Sequence, residues 1–382
     1  MNTETIVLPP AVPVAPPAPV EITLTEEQLT AVNRITDFIA KPNAERQFKI
    51  GGYAGTGKTT LIKHLLKHSG KRCLVCAFTG KAVHVLNKKG VPAATIHSSI
   101  YNTEVNRDGT YTFYRRDRIE GNPDIIIVDE ASMVSTDLYD DLLLFGKPII
   151  WVGDPGQLEP VGDNPNLMAE PDFVLSKIHR QAEKSPIISL ATKIRMGGVV
   201  EAPMCDDLKI YRGKKQSITP QQLLAVDQVL CATNRTRITL NNAVRKHLNR
   251  PANDIVIGDK IIVLRNNRTF SVFNGMIATV TKIKKTEALY YMCDLVDELG
   301  NELLDRPLWR TPFIRALNKN EYCPRDYVHV DFAYAITVHK SQGSEWDNVL
   351  LFDEWLPPKV WDMKRWRYTG ITRAAKKLEV YV

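Results

Sequence analysis

Short, wholly apolar runs that end in glycine or acidic residues recur through the first half of the chain. The run "IIIV" at residues 125–128 leads into "DEAS", and both "KPIIWVGDPG" and "QFKIGGY" repeat the arrangement. Continuous apolar runs of this length are typical of strands buried on both faces of a parallel sheet. Ligands bind beyond the carboxyl ends of such strands, so we expect the polar residues that follow these runs to form a site. The pattern predicts an α/β fold.

Alternating apolar and polar residues dominate two other segments. The span "IVIGDKIIVLRNNRTFSVFNGMIATVTKIKK", residues 255–285, predicts several strands with an Asn-Gly turn at Asn274 and Gly275. We expect a small all-β insertion there, of the SH3-like barrel type. Residues 101–122, "YNTEVNRDGTYTFYRRDRIEGN", predict a β-hairpin around their Asn-Arg-Asp-Gly turn.

The first residues of the chain combine apolar side chains with many prolines, as in "IVLPPAVPVAPPAPVEI". Proline removes backbone donors, so this segment does not predict a membrane-spanning helix. We expect residues 1–20 to form an extended, disordered leader with polyproline character, which is a candidate docking segment for a protein partner.

Length, charge and cysteine usage narrow the class of protein. The 382 residues suffice for two or three domains with cores of their own. The formal net charge of +7 is compatible with nucleic acid but is no evidence for it by itself. Of the six cysteines, Cys73 and Cys76 have a C-x-x-C spacing, yet they lie in an apolar run and no second pair completes a zinc site. We therefore expect core cysteines, a reducing cytoplasm and no association with a membrane.

The stretch "GGYAGTGKTT" contains the pattern G-x-x-x-x-G-K-[ST] between a predicted strand and a predicted helix. Its glycines allow backbone N–H groups to converge on phosphate oxygens, and the helix that follows offers its positive end to the same anion. Lys58 is expected to reach the β- and γ-phosphates, and the Thr59 hydroxyl is expected to bind Mg²⁺. The residues expected around the nucleotide are Gly52, Ala54, Gly55, Thr56, Gly57, Lys58, Thr59 and Thr60.

Acidic and amide side chains follow two of the apolar runs. Asp129 is expected to hold Mg²⁺, and Glu130 to activate the attacking water. Gln157 lies in "GDPGQLEPVG" and is a candidate sensor of the γ-phosphate and the water. The residues up to this point predict a Mg²⁺-dependent NTPase.

Two further motifs, "TVHKSQGSEWD" (residues 337–347) and "RYTGITRAAKKL" (residues 367–378), complete a series. With "LTEEQLTAV", "AFTGKAV", "TIHSSI", "DEAS" and "HRQ", they closely resemble superfamily 1B DNA helicases of the RecD/Dda type, in family order and over nearly the whole chain after the leader. Two departures are Phe78 and Glu159, which stand where the family usually has proline.

The resemblance implies two RecA-like P-loop NTPase domains that close over ATP and Mg²⁺. It puts Gln28 in an adenine-reading position and Glu345 at the ribose. It also makes Arg180 and Arg373 arginine fingers, which would neutralise transition-state charge from across the cleft.

The resemblance also implies a track for single-stranded DNA across both domains, with the hairpin acting as a pin that parts a duplex. Among Tyr111, Phe113 and Tyr114, an exposed aromatic would stack on the junction base pair. The residues expected to contact DNA are Thr79, Gly80, Lys81, Thr95, His97, Ser98, Phe113, Thr337, His339 and Lys340.

The predicted organisation is a leader (1–20), a first RecA-like domain (21–178) with the pin-like insertion at about 101–122, a second RecA-like domain (179–246 and 328–382) and the SH3-like insertion (247–327). By resemblance, the predicted function is an ATP-dependent DNA helicase that moves 5′ to 3′ in replication, recombination or repair, as a monomer that acts on single strands and duplex junctions. The alternatives are an RNA helicase and a nucleic-acid-binding ATPase switch that does not unwind duplex.

Overall fold

The structure is a computed structural model. It describes residues 24–41, 46–105, 111–159, 165–178, 184–213, 217–267, 269–298, 300–310, 323–357 and 361–382. The predicted leader, the predicted finger Arg180 and the tip of the predicted pin at residues 106–110 lie outside the described residues.

The first lobe contains a parallel sheet with helices on its faces. Its strands in chain order are β1 (Gln47–Gly52), β2 (Cys73–Ala77), β3 (Ala94–Thr95), β4 (Tyr101–Val105), β5 (Tyr111–Arg115), β6 (Ile125–Asp129), β7 (Ile149–Gly153) and β8 (Phe173–Leu175). Its helices are α1 (Glu26–Ala40), α2 (Lys58–His68), α3 (Gly80–Lys88), α4 (Ile96–Ile100) and α5 (Thr136–Leu143). Within the described residues the sheet order is β3-β2-β6-β7-β1-β8, with every neighbouring pair parallel. Strands β4 and β5 form a separate antiparallel hairpin, as the turn sequence predicted.

Strand β6 explains why its apolar run is continuous. Ile125 and Ile127 face one core of the first lobe, whereas Ile126 and Val128 face the other. All four side chains are almost completely buried. Burial of each is worth about 1.5–3 kcal/mol, so both faces of the strand need apolar residues and only its end is left for polar chemistry.

The second lobe and the insertion follow. Their strands are β9 (Leu208–Tyr211), β10 (Gln228–Cys231), β11 (Lys260–Val263), β12 (Ile277–Thr286), β13 (Tyr290–Asp297), β14 (Glu302–Trp309), β15 (Val330–Phe332), β16 (Ala335–Thr337), β17 (Trp346–Phe352) and β18 (Ala374–Tyr381). The helices are α6 (Pro186–Arg195), α7 (Pro220–Leu224), α8 (Asn234–His247) and α9 (Met363–Ile371), and Val338–Ser341 forms a 3₁₀ turn. The described part of the second lobe has the parallel strand order β16-β10-β17-β18-β9.

The insertion is an antiparallel sheet with the order β14-β13-β12-β11-β15 among the described residues. An isolated parallel bridge between Leu308 and Val328 brings the far edge strand β14 beside the segment that enters β15, so the sheet curls back on itself. The SH3-like classification stays a prediction.

One predicted boundary differs from the structure. Residues 330–332 were placed in the second lobe, but β15 pairs with β11, and Phe332 lies in the core of the insertion. The chain therefore returns to the sheet of the second lobe at β16. The apolar pattern could not locate this change because β15 and β16 are separated by only two residues and both are buried.

No helix in the described ranges is both long and apolar enough to cross a bilayer. The described cysteines are free thiols. Cys76, Cys231, Cys293 and Cys323 are buried, as expected of core cysteines, whereas Cys73 is only partly buried and Cys205 is exposed.

Candidate nucleotide site and nucleic-acid interface

A cleft of about 480 Å³ separates the P-loop of the first lobe from the segment around Ser344 and Arg373 in the second lobe. It brings together most of the residues that the sequence predicted around the nucleotide. These are Ala54, Gly55, Gly57, Lys58, Thr59, Thr60, Asp129, Glu130, Gln157, Glu345 and Arg373.

The P-loop depends on glycine at three positions. Gly55 and Gly57 have φ values of 79° and 80°, which favour glycine over residues with a Cβ atom. A Cβ atom on Gly52 would lie 2.8 Å from Cγ of Lys58. Helix α2 starts directly after Gly57. No side chain caps this end, so the first N–H groups of the helix are left to bind a ligand in the cleft. This is the arrangement that helix N-termini use to bind phosphate.

Lys58 is held by the backbone of its own loop. Its ammonium donates to the carbonyl oxygens of Gly52 (2.6 Å) and Tyr53 (3.3 Å), and it lies 4.0 Å from the carboxylate of Asp154. The side chain lines the cleft with part of its surface exposed, so its charge is available to a phosphate.

The acidic end of β6 faces the same cleft. Burial raises the pKa of Asp129 to about 6, the negative charge of Glu130 adds to the rise, and Lys58 opposes it. A bound divalent cation would stabilise the ionised carboxylate. Thr59 contributes a hydroxyl nearby, and one carboxylate plus a hydroxyl is a donor set that suits Mg²⁺ together with substrate phosphates.

Two buried oxygens in this wall have no hydrogen-bond partner among the described residues: Oε2 of Glu130 and Oε1 of Gln157. Unpaired buried acceptors are costly, and both residues line the cleft. Glu130 also has a left-handed backbone conformation, with φ at 52°. A water molecule or a metal-bound ligand in the cleft would satisfy these oxygens, and the roles of base and sensor stay predictions.

The second lobe contributes Arg373, which is 5% exposed. Its guanidinium donates to the carbonyl oxygens of Thr369 (3.0 Å) and Ser344 (3.0 Å) and to the Thr372 hydroxyl (3.2 Å). Within the described parts of the chain no carboxylate forms an ion pair with it. A buried cation that has only neutral acceptors and lies at a phosphate-binding cleft is suited to an anionic ligand. Glu345 lines the same cleft and forms an ion pair with Lys89 of the first lobe at 3.6 Å.

Three residues predicted at the nucleotide, Gln28, Gly52 and Thr56, do not line the cleft. The Gln28 amide donates to the carbonyl oxygens of Thr56 (3.2 Å) and Gly57 (3.4 Å), and its oxygen caps α1 by accepting from the N–H of Thr25. Gln28 and Thr56 are buried, and neither they nor Gly52 lines the cleft. Gln28 braces the loop here, and its adenine-reading role stays a prediction.

A second groove, of about 450 Å³, runs between the base of the hairpin and the insertion. His97, Tyr101 and Phe113 line one side, and the ring of His97 lies 5.8 Å from that of Tyr101 and 6.3 Å from that of Phe113. Arg265 and Arg325 of the insertion line the other side. Aromatic rings facing cations are the combination that binds single-stranded nucleic acid. Arg265 and Arg325 escaped the sequence prediction because only the fold brings the insertion opposite the hairpin.

The predicted threonine contacts share one structural role. Thr79, Thr95 and Thr337 each precede a helical turn, and their hydroxyl oxygens accept from N–H groups three residues later, at 3.1, 3.2 and 3.4 Å respectively. Ser98 bonds back to the Thr95 carbonyl at 2.9 Å. The three threonines are helix caps, which explains the residue types, and their DNA contacts stay predictions.

The insertion covers part of the predicted DNA track. The Lys81 ammonium bonds to the Glu298 carboxylate at 2.7 Å and lies 4.3 Å from the centre of the Trp346 ring. A Cβ atom on Gly80 would lie 2.5 Å from the Phe273 ring. The sequence could not indicate this, because the partners of Gly80 and Lys81 are about 200 residues away in the chain.

The remaining predicted contacts lie on the second lobe. Lys340 donates to the Asn274 side chain of the insertion at 3.2 Å. The His339 ring lies 5.2 Å from the Trp361 ring, and burial lowers the pKa of His339. Both residues therefore contact neighbouring side chains: Lys340 contacts the insertion, and His339 contacts Trp361.

The fold and the cleft define a P-loop NTPase of two lobes. A family model described as an AAA domain matches residues 23–212, and a model described as the UvrD-like helicase C-terminal domain matches residues 332–381. The ATP-dependent RecD2 DNA helicase of Deinococcus radiodurans is 27% identical over 92% of this chain and 48% of its own. The ATP-dependent DNA helicase dda of Enterobacteria phage T4 is 29% identical over 63% of this chain and 61% of its own.

Among solved structures, the Bacteroides Pif1 bound to single-stranded DNA shares the fold, with a TM-score of 0.56 at 18% identity over 94% of this chain and 92% of that chain. In sequence the chain is thus similar to ATP-dependent DNA helicases of the RecD and Dda type, with an AAA-domain match in its first part and a UvrD-like helicase match near its end. It spans between about half and two thirds of the length of the two curated relatives described here.

Proposed function

We propose that the chain is an ATP-dependent DNA helicase that moves 5′ to 3′ along single-stranded DNA and separates duplex. The observation that carries the proposal is the cleft that the two lobes share, with Lys58 on one wall and Arg373 on the other. A site completed by a cation from a second lobe links hydrolysis to movement between the lobes, because the charge that attracts Arg373 changes when phosphate leaves.

In the proposed mechanism each wall has its own task. Lys58 and the N–H groups at the start of α2 bind the phosphates, and Thr59 and Asp129 would hold Mg²⁺, which would neutralise phosphate charge. Glu130 accepts the proton of the attacking water, and Gln157 orients that water. Arg373 stabilises the charge that develops in the transition state, and Arg180, outside the described residues, is proposed as a second finger.

The proposed DNA track runs from the helix starts at Thr79 and Thr95 through the groove beside His97 and Phe113 towards Thr337. Two features support it: the basic and aromatic walls of the groove, and the relatives named as DNA helicases. The insertion must move off Gly80 and Lys81 if these two residues are to contact DNA. Single-stranded DNA and forked junctions are the proposed partners, and the chain is proposed to act as a monomer.

The proposal is tested by strand displacement on duplexes with a 5′ DNA tail, a 3′ DNA tail or a 5′ RNA tail, each with and without ATP and Mg²⁺. We expect displacement only from the 5′ DNA tail and only with both ATP and Mg²⁺. Displacement from 3′ tails alone would refute the polarity, and preference for the RNA tail would identify an RNA helicase. ATP hydrolysis that DNA stimulates without any displacement would identify an ATPase switch.

A further inference from the structure

The hydroxyl of Tyr368, in α9, lies between the P-loop and the turn after β7. The hydroxyl donates to Oδ2 of Asp154 at 2.8 Å and accepts from the N–H of Ala54, in the P-loop, at 2.9 Å. The side chain is 2% exposed, and burial together with the neighbouring Asp154 raises its pKa well above the usual range. The hydroxyl therefore stays protonated and can make both bonds at once.

Both partners belong to the first lobe, whereas Tyr368 belongs to the second. Asp154 is fully buried, binds the N–H of Gly156 through its other oxygen at 2.9 Å, and lies 4.0 Å from the Lys58 ammonium. The Tyr368 ring packs on the same turn so closely that a Cβ atom on Gly156 would lie 2.9 Å from the ring. Close packing of the Tyr368 ring thus supports this contact as well as the hydrogen bonds do.

A second pair of bonds reinforces this docking. The N–H of Leu158 donates to the Thr369 hydroxyl at 2.9 Å, and its carbonyl accepts from the Gln342 amide at 2.8 Å. Leu158 itself, although part of the first lobe, packs in the hydrophobic core of the second. Hydrogen bonds and apolar packing therefore both hold the turn after β7 against the second lobe.

The same helix leads to the arginine. Arg373 follows two residues after α9 ends, and its guanidinium bonds back to the Thr369 carbonyl of α9. The docking of Tyr368 on the P-loop thus determines where α9, and with it Arg373, stands relative to Lys58. A core tyrosine with no function would be expected to find its hydroxyl partners within its own lobe, as Tyr381 does with Gln222.

We propose that Tyr368 is a positioning residue for hydrolysis: its hydroxyl docks α9 on Ala54 and Asp154, and so sets the approach of Arg373 to the phosphates. This rests on the proposed function, since it assigns Arg373 a role in ATP hydrolysis. The proposed residue acts through Arg373 and does not itself touch the phosphates.

The test compares Tyr368→Phe with Tyr381→Phe in the full chain. Both variants remove one hydroxyl from a buried tyrosine of the second lobe, but Tyr381 lies away from the cleft. We expect Tyr368→Phe to lower kcat for ATP hydrolysis about 10- to 100-fold, the size of effect that misplacement of a catalytic group by about 1 Å produces. Nucleotide affinity, measured by titration with a fluorescent ADP, should stay within about threefold because Lys58 and the start of α2 are unchanged.

A double variant separates positioning from general destabilisation. If Tyr368 acts through Arg373, adding Tyr368→Phe to Arg373→Ala should lower kcat no further, whereas independent effects would multiply. The proposal is overturned if Tyr368→Phe hydrolyses ATP as fast as Tyr381→Phe. It is also overturned if kcat of the double variant falls by the product of the two single-variant factors. Failure of the helicase proposal would look different, since the unaltered chain would then hydrolyse ATP without separating strands.

Discussion

At the scale of single residues, the nucleotide chemistry depends on a few side chains whose roles differ in kind. Lys58 and Thr59 line the cleft directly after the phosphate-binding loop and are proposed to contact the substrate, so their types follow from local sequence. Glu130 and Gln157 reach the same place from the ends of two other strands, each with an unpaired buried oxygen among the described residues. The cleft therefore contains acceptors in need of a ligand beside donors suited to phosphate.

Replacing Lys58 by alanine should abolish ATP hydrolysis and leave single-stranded DNA binding largely intact. The loss should be about 100-fold or more in kcat/KM, since the ammonium is the charge that the loop aims at the phosphates. Hydrolysis is measured with saturating DNA, and DNA affinity by fluorescence anisotropy.

The matched control is Lys67→Ala, which removes an exposed lysine from the last turn of the same helix. It should change neither quantity appreciably. Turnover retained by Lys58→Ala would show that the catalytic centre lies elsewhere.

The residues that sequence could identify are those whose neighbours in the chain are also their neighbours in space. The P-loop and the acidic end of β6 are of this kind, and their motifs predicted the cleft. Tyr368 was missed because its partners, Ala54 and Asp154, lie 314 and 214 residues away. Its place within "RYTGITRA" was the one signal, and that signal does not say what the hydroxyl contacts.

At the scale of elements, the two faces of the β4–β5 hairpin have different surroundings. Neighbouring residues of a strand point to opposite faces. Phe113 lines the groove and contacts His97 and Tyr101, whereas Tyr114 does not line it. Both side chains are about half exposed, so their difference lies in direction and not in burial.

We therefore expect Phe113→Ala to impair strand displacement while DNA-stimulated ATP hydrolysis continues. The aromatic face in the groove would no longer stack on a base, an interaction worth about 1–3 kcal/mol per base. Tyr114→Ala should have the smaller effect on displacement at equal hydrolysis. The assignment of the pin face would be wrong if Tyr114→Ala were the more damaging of the two variants.

Alternation and turn residues predicted the hairpin and the all-β insertion well, because each depends on contacts between adjacent strands. They did not predict where the insertion docks. Its contact with Gly80 and Lys81 depends on Phe273 and Glu298, which lie about 200 residues further along the chain.

At the scale of the whole molecule, the described residues form two parallel sheets and a curled antiparallel sheet, which together border the nucleotide cleft and the groove beside the hairpin. The first lobe supplies the phosphate loop, and the second supplies Arg373 through α9. The lobes are joined at the turn after β7, where Leu158 lies in the core of the second lobe. A motion of α9 would therefore be transmitted to both the nucleotide and the 3₁₀ turn that begins at Val338.

Fold class and lobe count followed from the order of the motifs, whereas the relative placement of the lobes did not. That placement depends on side chains such as Tyr368 and Leu158, whose contacts cross between lobes and leave no periodic pattern in the sequence.

The most direct measurement is single-turnover ATP hydrolysis by Arg373→Ala, with nucleotide affinity determined on the same sample. We predict a fall in the hydrolysis rate of about 10³-fold or more, as for loss of an arginine finger, with nucleotide binding largely preserved. Hydrolysis at the rate of the unaltered chain would contradict the account, because the second lobe would then contribute no charge to the reaction.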